Sequence, residues 1–177
     1  MEKMMNGMQN ENGTDFQVFF VTGLSGAGKS TVLNVFEDMG YFTLEGLPAT
    51  LITQVSEVLN QESLEGFRGI VIGLNLYTQE QIRSFEQALV LLRQKNIFPS
   101  IIFMEAKGSV LMQRYATTRR PHPLEREGLG LEQAIAVEKE RLTVFKDLAD
   151  LVLDSSSFSI HDLRRTDRKS TRLNSSH

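Results

Sequence analysis

The feature that most constrains this chain is a glycine-rich loop between a predicted strand and a predicted helix. Residues 23–30 read GLSGAGKS, which satisfies the P-loop pattern G-x-x-x-x-G-K-[ST]. Residues 16–22 before it form a short aromatic and β-branched run, which predicts a buried strand. After it, apolar residues recur with helical spacing from Val32 to Met39. A strand, a loop of this kind and a helix together open an α/β unit.

The chemistry of the loop points to a bound phosphate chain. Glycines let the backbone wrap closely around an anion, and the N-terminus of the following helix contributes its positive dipole end. Lys29 is predicted to reach the β- and γ-phosphates as a catalytic residue, and Ser30 to ligate the Mg²⁺ that bridges them. The predicted nucleotide-binding residues of the loop are Gly23, Leu24, Ser25, Gly26, Ala27, Gly28, Lys29 and Ser30.

Short apolar strands and amphipathic helices alternate along the rest of the chain. Further strands are predicted at residues 41–44, 70–74, 101–104 and 151–153, and further helices at residues 50–60, 79–95, 109–118 and 131–145. This order predicts an α/β fold of the P-loop NTPase type, a parallel sheet with helices on both faces. Residues 16–165 are predicted to form one nucleotide-binding domain, and residues 1–15 a flexible extension.

The end of the chain is predicted to be foreign to the domain. Residues 167–177 read DRKSTRLNSSH, a string that resembles the translation of a common short-read sequencing adapter. We therefore interpret residues 166–177 as a non-native tail, and expect a longer parent protein whose C-terminal domain is missing. Without the three basic residues and one acidic residue of the tail, the formal charge changes from −3 to −5. An acidic domain disfavours an extended basic RNA-binding face.

Composition excludes several classes of protein. The chain has no Cys, which rules out a disulfide framework or thiolate zinc site and fits a reducing compartment. Its longest apolar runs are far shorter than the ~18–20 residues that span a bilayer. We expect a cytoplasmic protein without membrane contact.

Two carboxylates are candidates for the metal. Glu105 follows the predicted strand at residues 101–104, at the edge where ligands bind in open α/β sheets. It is therefore predicted to be the Walker-B-type carboxylate, with a catalytic role and a role in holding Mg²⁺. Glu45, at the end of the second strand, is the competing candidate for positioning metal or water.

Arg114, Arg119 and Arg120 cluster ahead of the proline-flanked His122. The prolines should end the preceding helix and release a loop. We interpret the cluster as a lid whose guanidiniums close over phosphates, with Arg119 catalytic and the other two binding nucleotide. The alternative is a charged helix end with arginines near the last carbonyl groups. His122 is interpreted as a solvated loop histidine without a catalytic role.

With these motifs located, the chain resembles the RapZ/YvcJ family of bacterial P-loop proteins, whose best-known member is an RNase adapter for small-RNA turnover. The resemblance covers nearly all of residues 16–163. It rests on GLSGAGKS at 23–30, EDMGYF at 37–42, LP at 47–48, RYATTRRPHPL at 114–124, LEQAIAVEKERL at 131–142 and ADLVLDSS at 149–156.

The resemblance implies ATP or GTP as ligand, together with Mg²⁺ and weak hydrolysis. It also implies that an RNA or RNase partner is contacted through the missing C-terminal domain, and it allows a homo-oligomer of the full-length protein. The chain departs from the family at Glu45, in EGLP where D-N-L-P is usual. It also departs in a segment associated with guanine nucleotides, where D-x-R-N is replaced by Asn75, Leu76, Tyr77 and Thr78. These four residues are assigned to the nucleotide by resemblance alone, and the choice between ATP and GTP stays open.

The main alternative is a small-molecule kinase. Residues 20–31, FVTGLSGAGKST, closely resemble the P-loop of adenylylsulfate kinases. That family is expected to carry an acceptor segment of the D-G-D-N type after its second strand, and residues 44–48 (LEGLP) lack it. A translational-type GTPase is disfavoured because no N-K-x-D motif occurs.

Overall fold

The computed structural model of the chain describes residues 16–58 and 64–157. The predicted N-terminal extension and the predicted tail at residues 166–177 lie outside the described residues, as do residues 59–60 of the predicted second helix.

Within the described residues, strands and helices alternate as the sequence predicts. The strands are β1 (Gln17–Gly23), β2 (Phe42–Glu45), β3 (Gly69–Gly73), β4 (Ser100–Glu105) and β5 (Leu151–Asp154). The α-helices are α1 (Lys29–Asp38), α2 (Ile52–Val58), α3 (Gln79–Gln94), α4 (Gly108–Thr117), α5 (Leu131–Arg141) and α6 (Thr143–Leu148). None of these helices is long and apolar enough to cross a membrane.

The strands form one parallel sheet in the order β2-β3-β1-β4-β5. β1 is central, with Phe20 paired to Ile72 of β3 and to Ile101 of β4. The chain thus moves to one side of β1 for β2 and β3, and to the other side for β4 and β5. Ligands of open α/β sheets bind at the carboxyl ends of the strands where the order reverses in this way. The loop after β1 lies at that point.

Two adjacent phenylalanines of β1 show that helices cover both faces of the sheet. Successive side chains of a strand point to opposite faces. Phe19 packs against Phe36 of α1, with ring centroids 5.2 Å apart. Phe20 packs against Phe85 of α3 at 5.1 Å, and Phe85 packs in turn against Phe145 of α6 at 5.1 Å. The predicted fold class is confirmed.

Two predicted elements differ in detail. The predicted helix at residues 131–145 is divided at Leu142 into α5 and α6. The Thr143 hydroxyl donates to the carbonyl of Lys139 at 3.0 Å, a local bond of the kind that bends helices. In addition, the segment after His122 is a 3₁₀ helix, Pro123–Glu127, rather than an open loop. Proline is accepted at the start of such a turn because no N–H is needed there.

Candidate nucleotide-binding site

The loop between β1 and α1 depends on two glycines. Gly23 has φ 126°, and a Cβ at this position would lie 2.0 Å from the carbonyl oxygen of Met104 on β4. Gly28, which precedes α1, has φ 95° and offers no side chain to cap the helix. The first N–H groups of α1 therefore lack a side-chain partner, which is the condition for binding an anion at a helix N-terminus.

Lys29 extends back across this loop. Its ammonium nitrogen donates to the carbonyl oxygens of Gly23 and Leu24, both at 3.0 Å. Burial lowers the pKa of Lys29 from 10.5 to about 8, against the opposing effect of the carboxylates of Glu138 and Glu45. An anion in the loop would therefore favour the charged form of this lysine.

The loop forms one side of a cavity of about 390 Å³. Its lining residues from the loop are Ser25, Gly26, Gly28, Lys29 and Ser30, and those from other parts of the chain are Glu45, Asn75, Tyr77, Tyr115 and Arg120. The volume lies within the range typical of small-molecule sites. Burial raises the pKa of Tyr115 to about 12, so its phenol is a hydrogen-bond donor at neutral pH.

Glu45, and not Glu105, is the carboxylate in this cavity. The hydroxyl of Ser30 donates to the Glu45 carboxylate. Glu105 does lie at the end of β4 as predicted, but its carboxylate is 2.6 Å from the ammonium of Lys146 on α6 and does not line the cavity. Glu105 therefore lies beside the loop at the end of β4 but does not line the cavity, and its carboxylate is engaged in an ion pair with α6.

The hydroxyl oxygen of Ser30 and the carboxylate oxygens of Glu45 are suitable ligands for a hard cation such as Mg²⁺. Magnesium is commonly held by one or two protein oxygens together with phosphate oxygens and water, and needs no complete cage of side chains. Accordingly, residues 16–58 and 64–157 contain no group of three or more His, Asp or Glu arranged to hold a metal.

The predicted arginine cluster separates into three environments. Arg119 and Arg120 are both exposed, but only Arg120 lines the cavity. Arg114 instead donates to the carbonyl of Gly26 at 2.9 Å and to the carbonyl of Ser155 at 2.8 Å. The guanidinium of Arg114 is thus held by hydrogen bonds to two backbone carbonyl groups, one of which belongs to the loop.

The four residues assigned by resemblance also differ from one another. Asn75 and Tyr77 line the cavity. Leu76 is only 1% exposed and belongs to the core. The hydroxyl of Thr78 accepts from the N–H of Gln81 at 3.2 Å and caps α3. Two of the four are therefore in contact with the candidate site.

His122 was expected to be solvated, and this was wrong. Its side chain is completely buried, and Nε2 lies 3.0 Å from the Glu138 carboxylate. Glu138 also accepts from the Ser25 N–H at 3.0 Å and the Ser25 hydroxyl at 2.6 Å. Sequence reasoning missed Glu138, although one signal was present: a charged residue stands on the apolar stripe of the predicted helix at residues 131–145.

Ser155, which follows β5, was also missed. Its buried hydroxyl donates to the carbonyl of Ala27 at 2.7 Å and accepts from Arg114 at 3.0 Å. A serine beyond a short strand carries no recognisable signal in the sequence, because its partners lie 41 and 128 residues away.

The fold and the loop define a P-loop protein of the α/β class. The chain belongs to the RapZ-like N-terminal domain family, whose model matches residues 16–175. The resemblance that the motifs indicated is thereby confirmed. The interpretation of residues 166–177 as foreign stays a prediction.

Curated relatives agree with this membership, and a solved structure shares the fold. A "nucleotide-binding protein" of Nitratidesulfovibrio vulgaris (strain DSM 19637 / Miyazaki F) is 54% identical over 155 residues, which cover 88% of this chain and 53% of the relative. One from Dictyoglomus thermophilum is 38% identical over 150 residues, covering 85% and 51%. The chain thus spans about half the length of these relatives. Shikimate kinase from Bacteroides thetaiotaomicron, with TM-score 0.53 and 16% identity over 88% of this chain and 98% of the kinase, shares the fold alone.

Proposed function

We propose that residues 16–165 bind a nucleoside triphosphate, ATP or GTP, together with Mg²⁺. The observation that carries the proposal is a cavity of about 390 Å³ whose lining includes both Lys29 of the loop and Arg120. Two cationic side chains and an uncapped helix N-terminus at one cavity are suited to a phosphate chain. The names of the relatives, which call them nucleotide-binding proteins, agree with this ligand.

The residues of the cavity have different roles in binding. Lys29 neutralises the β- and γ-phosphates, and Arg120 contacts the terminal phosphate. Arg114 and Ser155 hold the backbone of the loop in place. Ser30 and Glu45 would hold the magnesium, which supplies charge neutralisation between the phosphate groups. Asn75 and Tyr77 complete the wall of the cavity.

We infer that hydrolysis is slow. Activation of water needs a base within hydrogen-bond reach, and Glu45 is the only carboxylate lining the described cavity, with no histidine beside it. Glu45 is already hydrogen-bonded to Ser30. Glu105, the other predicted carboxylate, and His122 are engaged with Lys146 and Glu138 respectively. A site that binds tightly and turns over slowly is suited to a nucleotide that acts as a conformational ligand.

We further infer that the domain serves an RNase adapter involved in small-RNA-linked regulation, in the cytoplasm. The family membership supports this role, and the net negative charge of the chain indicates that RNA is contacted elsewhere in the whole protein. The chain spans only about half of its relatives, so the remaining half is the expected place of the RNA or RNase contact.

Two measurements on the 177-residue chain test the proposed ligand and reaction. Equilibrium dialysis with ATP and GTP, with and without Mg²⁺, should give saturable binding that Mg²⁺ strengthens. Incubation with the bound nucleotide should release inorganic phosphate slowly without any added acceptor. Absence of binding to both nucleotides would contradict the proposal. Phosphate transfer that requires an added hydroxyl acceptor would instead favour the small-molecule kinase.

A further inference from the structure

A buried carboxylate connects the phosphate loop to the arginine-bearing segment. Glu138 on α5 is 1% exposed and accepts two hydrogen bonds from Ser25 and one from His122. Ser25 lies in the loop, and His122 follows the helix that ends at Thr117. Buried polar groups of this kind are normally fully paired, and three donors face this carboxylate. Glu138 does not line the cavity, so its contacts serve the protein and not a ligand.

His122 is fixed both at its ring and at its backbone. The N–H of Leu124 donates to Nδ1 at 3.1 Å, which leaves the ring proton on Nε2, directed at Glu138. The backbone N–H of His122 donates to the Glu125 carboxylate. Pro121 and Pro123, on either side, have φ fixed by their rings. This short segment therefore has little freedom once the bond to Glu138 is made.

The helix that carries Glu138 is itself tied to the cavity wall. Arg141, one turn further along α5, donates to the carbonyl of Tyr77 at 2.8 Å. It also forms a two-pronged pair with Glu127, at 3.2 and 3.0 Å. Glu138 is thus presented from a support that is fixed relative to both the cavity wall and the 3₁₀ helix.

Arg120 stands two residues before His122 and lines the cavity. The path from Arg120 through Pro121 to His122, and on through Glu138 to Ser25, links two residues that line the cavity. The ring of Tyr115, another lining residue, lies 5.2 Å from the ring of His122. The backbone that carries Arg120 is therefore anchored to the loop through the contact between His122 and Glu138.

We propose that Glu138 is a positioning residue, which holds Arg120 at the cavity beside the phosphate loop through its bonds to Ser25 and His122. The proposal rests on the proposed function, because the ligand of Arg120 is the terminal phosphate of a nucleoside triphosphate. It requires that Arg120 adds to triphosphate affinity only while the link between His122 and Glu138 is intact.

Two substitutions of His122 separate its two contacts. His122→Gln places an amide N–H near the position of Nε2, so it can still donate to Glu138. His122→Asn places an amide oxygen near Nδ1, so it retains the bond from Leu124 and loses Glu138. Arg120→Ala is introduced into the wild-type chain and into each variant, and the Kd of Mg²⁺–ATP and Mg²⁺–GTP is measured by equilibrium dialysis.

The decisive quantity is the factor by which Arg120→Ala weakens triphosphate binding, which we call the Arg120 penalty. In the wild-type and His122→Gln backgrounds, triphosphate affinity should fall about tenfold, the effect of losing one charge-assisted contact. In the His122→Asn background the penalty should shrink to less than about twofold, because Arg120 is already displaced. The same penalty in all three backgrounds, or none in the wild type while triphosphate still binds, would overturn the proposal. If the wild-type chain binds neither nucleotide, the proposed function itself fails.

A second pair of variants covers the case in which His122→Asn does not fold, as judged by circular dichroism. Glu138→Gln can accept from Ser25 and His122 with its amide oxygen and donate to the Ser25 hydroxyl, so it should retain the Arg120 penalty. Glu138→Ala breaks all three bonds and should abolish the penalty. A residue that only stabilises the fold would lower the melting temperature in Glu138→Ala and leave the penalty of Arg120→Ala unchanged.

Discussion

Arg114 donates a hydrogen bond from Nη1 to the carbonyl oxygen of Gly26, 2.9 Å away and 88 residues earlier in the chain. Its other terminal nitrogen, Nη2, donates to the carbonyl of Ser155 at 2.8 Å. A third bond goes to the Ser155 hydroxyl at 3.0 Å, so the guanidinium is engaged by the loop backbone and by Ser155. An arginine that the sequence assigns to a mobile lid is thereby part of the support of the phosphate loop.

Replacement of Arg114 should therefore affect the loop as a whole. Arg114→Ala should weaken diphosphate and triphosphate binding equally and lower the free energy of unfolding by about 1–3 kcal/mol, the cost of unpaired backbone acceptors. Urea denaturation and equilibrium dialysis measure the two effects. Arg83→Ala is the matched control, because Arg83 is exposed on α3 and outside the cavity lining, and it should change neither quantity. A loss confined to triphosphate, without a change in stability, would show that Arg114 acts as a lid.

Glu45 and Glu105 should differ in their effect on magnesium. Glu45→Gln should raise the Mg²⁺ concentration needed for half-maximal triphosphate binding about tenfold, because a charged oxygen beside Ser30 is lost. Glu105→Gln should leave that concentration unchanged and alter stability by less than about 1 kcal/mol, since its ion pair with Lys146 is partly exposed. Magnesium titrations of binding compare the two variants. If Glu105→Gln raises the required Mg²⁺ concentration and Glu45→Gln does not, Glu105 and not Glu45 holds the metal.

Triphosphate affinity should fall as the pH rises through about 8. Burial lowers the pKa of Lys29 to about 8, and only its protonated form attracts phosphate. Below this pH the lysine is charged and binding is at full strength. Above it, binding must first return a proton to Lys29 and weakens progressively. Calorimetry in buffers of different ionisation enthalpy should detect proton uptake on the alkaline side. An affinity that is constant between pH 7.5 and 9.5, within about twofold, would contradict a phosphate contact by Lys29.

Much of the fold follows from local patterns in the sequence. The apolar run before Gly23 and the helical spacing after it identify β1, the loop and α1, because each depends on neighbouring residues only. Helix α3 can be predicted in the same way, since Thr78 caps it and its apolar residues recur along one face. The boundary at Leu142 was missed because the bond from Thr143 to Lys139 competes with the helix in a way that spacing does not reveal.

Only those residues of the candidate site that belong to a contiguous motif can be predicted from the sequence. Lys29 and Ser30 belong to a contiguous motif, so the sequence identifies them. The partners of Ser25 and Arg114 lie 113 and 88 residues away, and their contacts depend on how the helices pack. For the same reason, the strand-end position of Glu105 could not reveal that Lys146 on α6 would engage its carboxylate.

The most direct test of the account is the affinity of Lys29→Ala for Mg²⁺–ATP and Mg²⁺–GTP, measured by equilibrium dialysis beside the wild-type chain. Lys139→Ala is the control, because Lys139 is exposed on α5 and lies outside the cavity lining. Circular dichroism should show that both variants are folded. The account predicts that Lys29→Ala loses affinity by a factor of about 100 or more, because a charge-assisted contact in a partly buried site is removed. It predicts no loss of affinity in the control. Unchanged affinity in Lys29→Ala would contradict the assignment of the loop as the phosphate site.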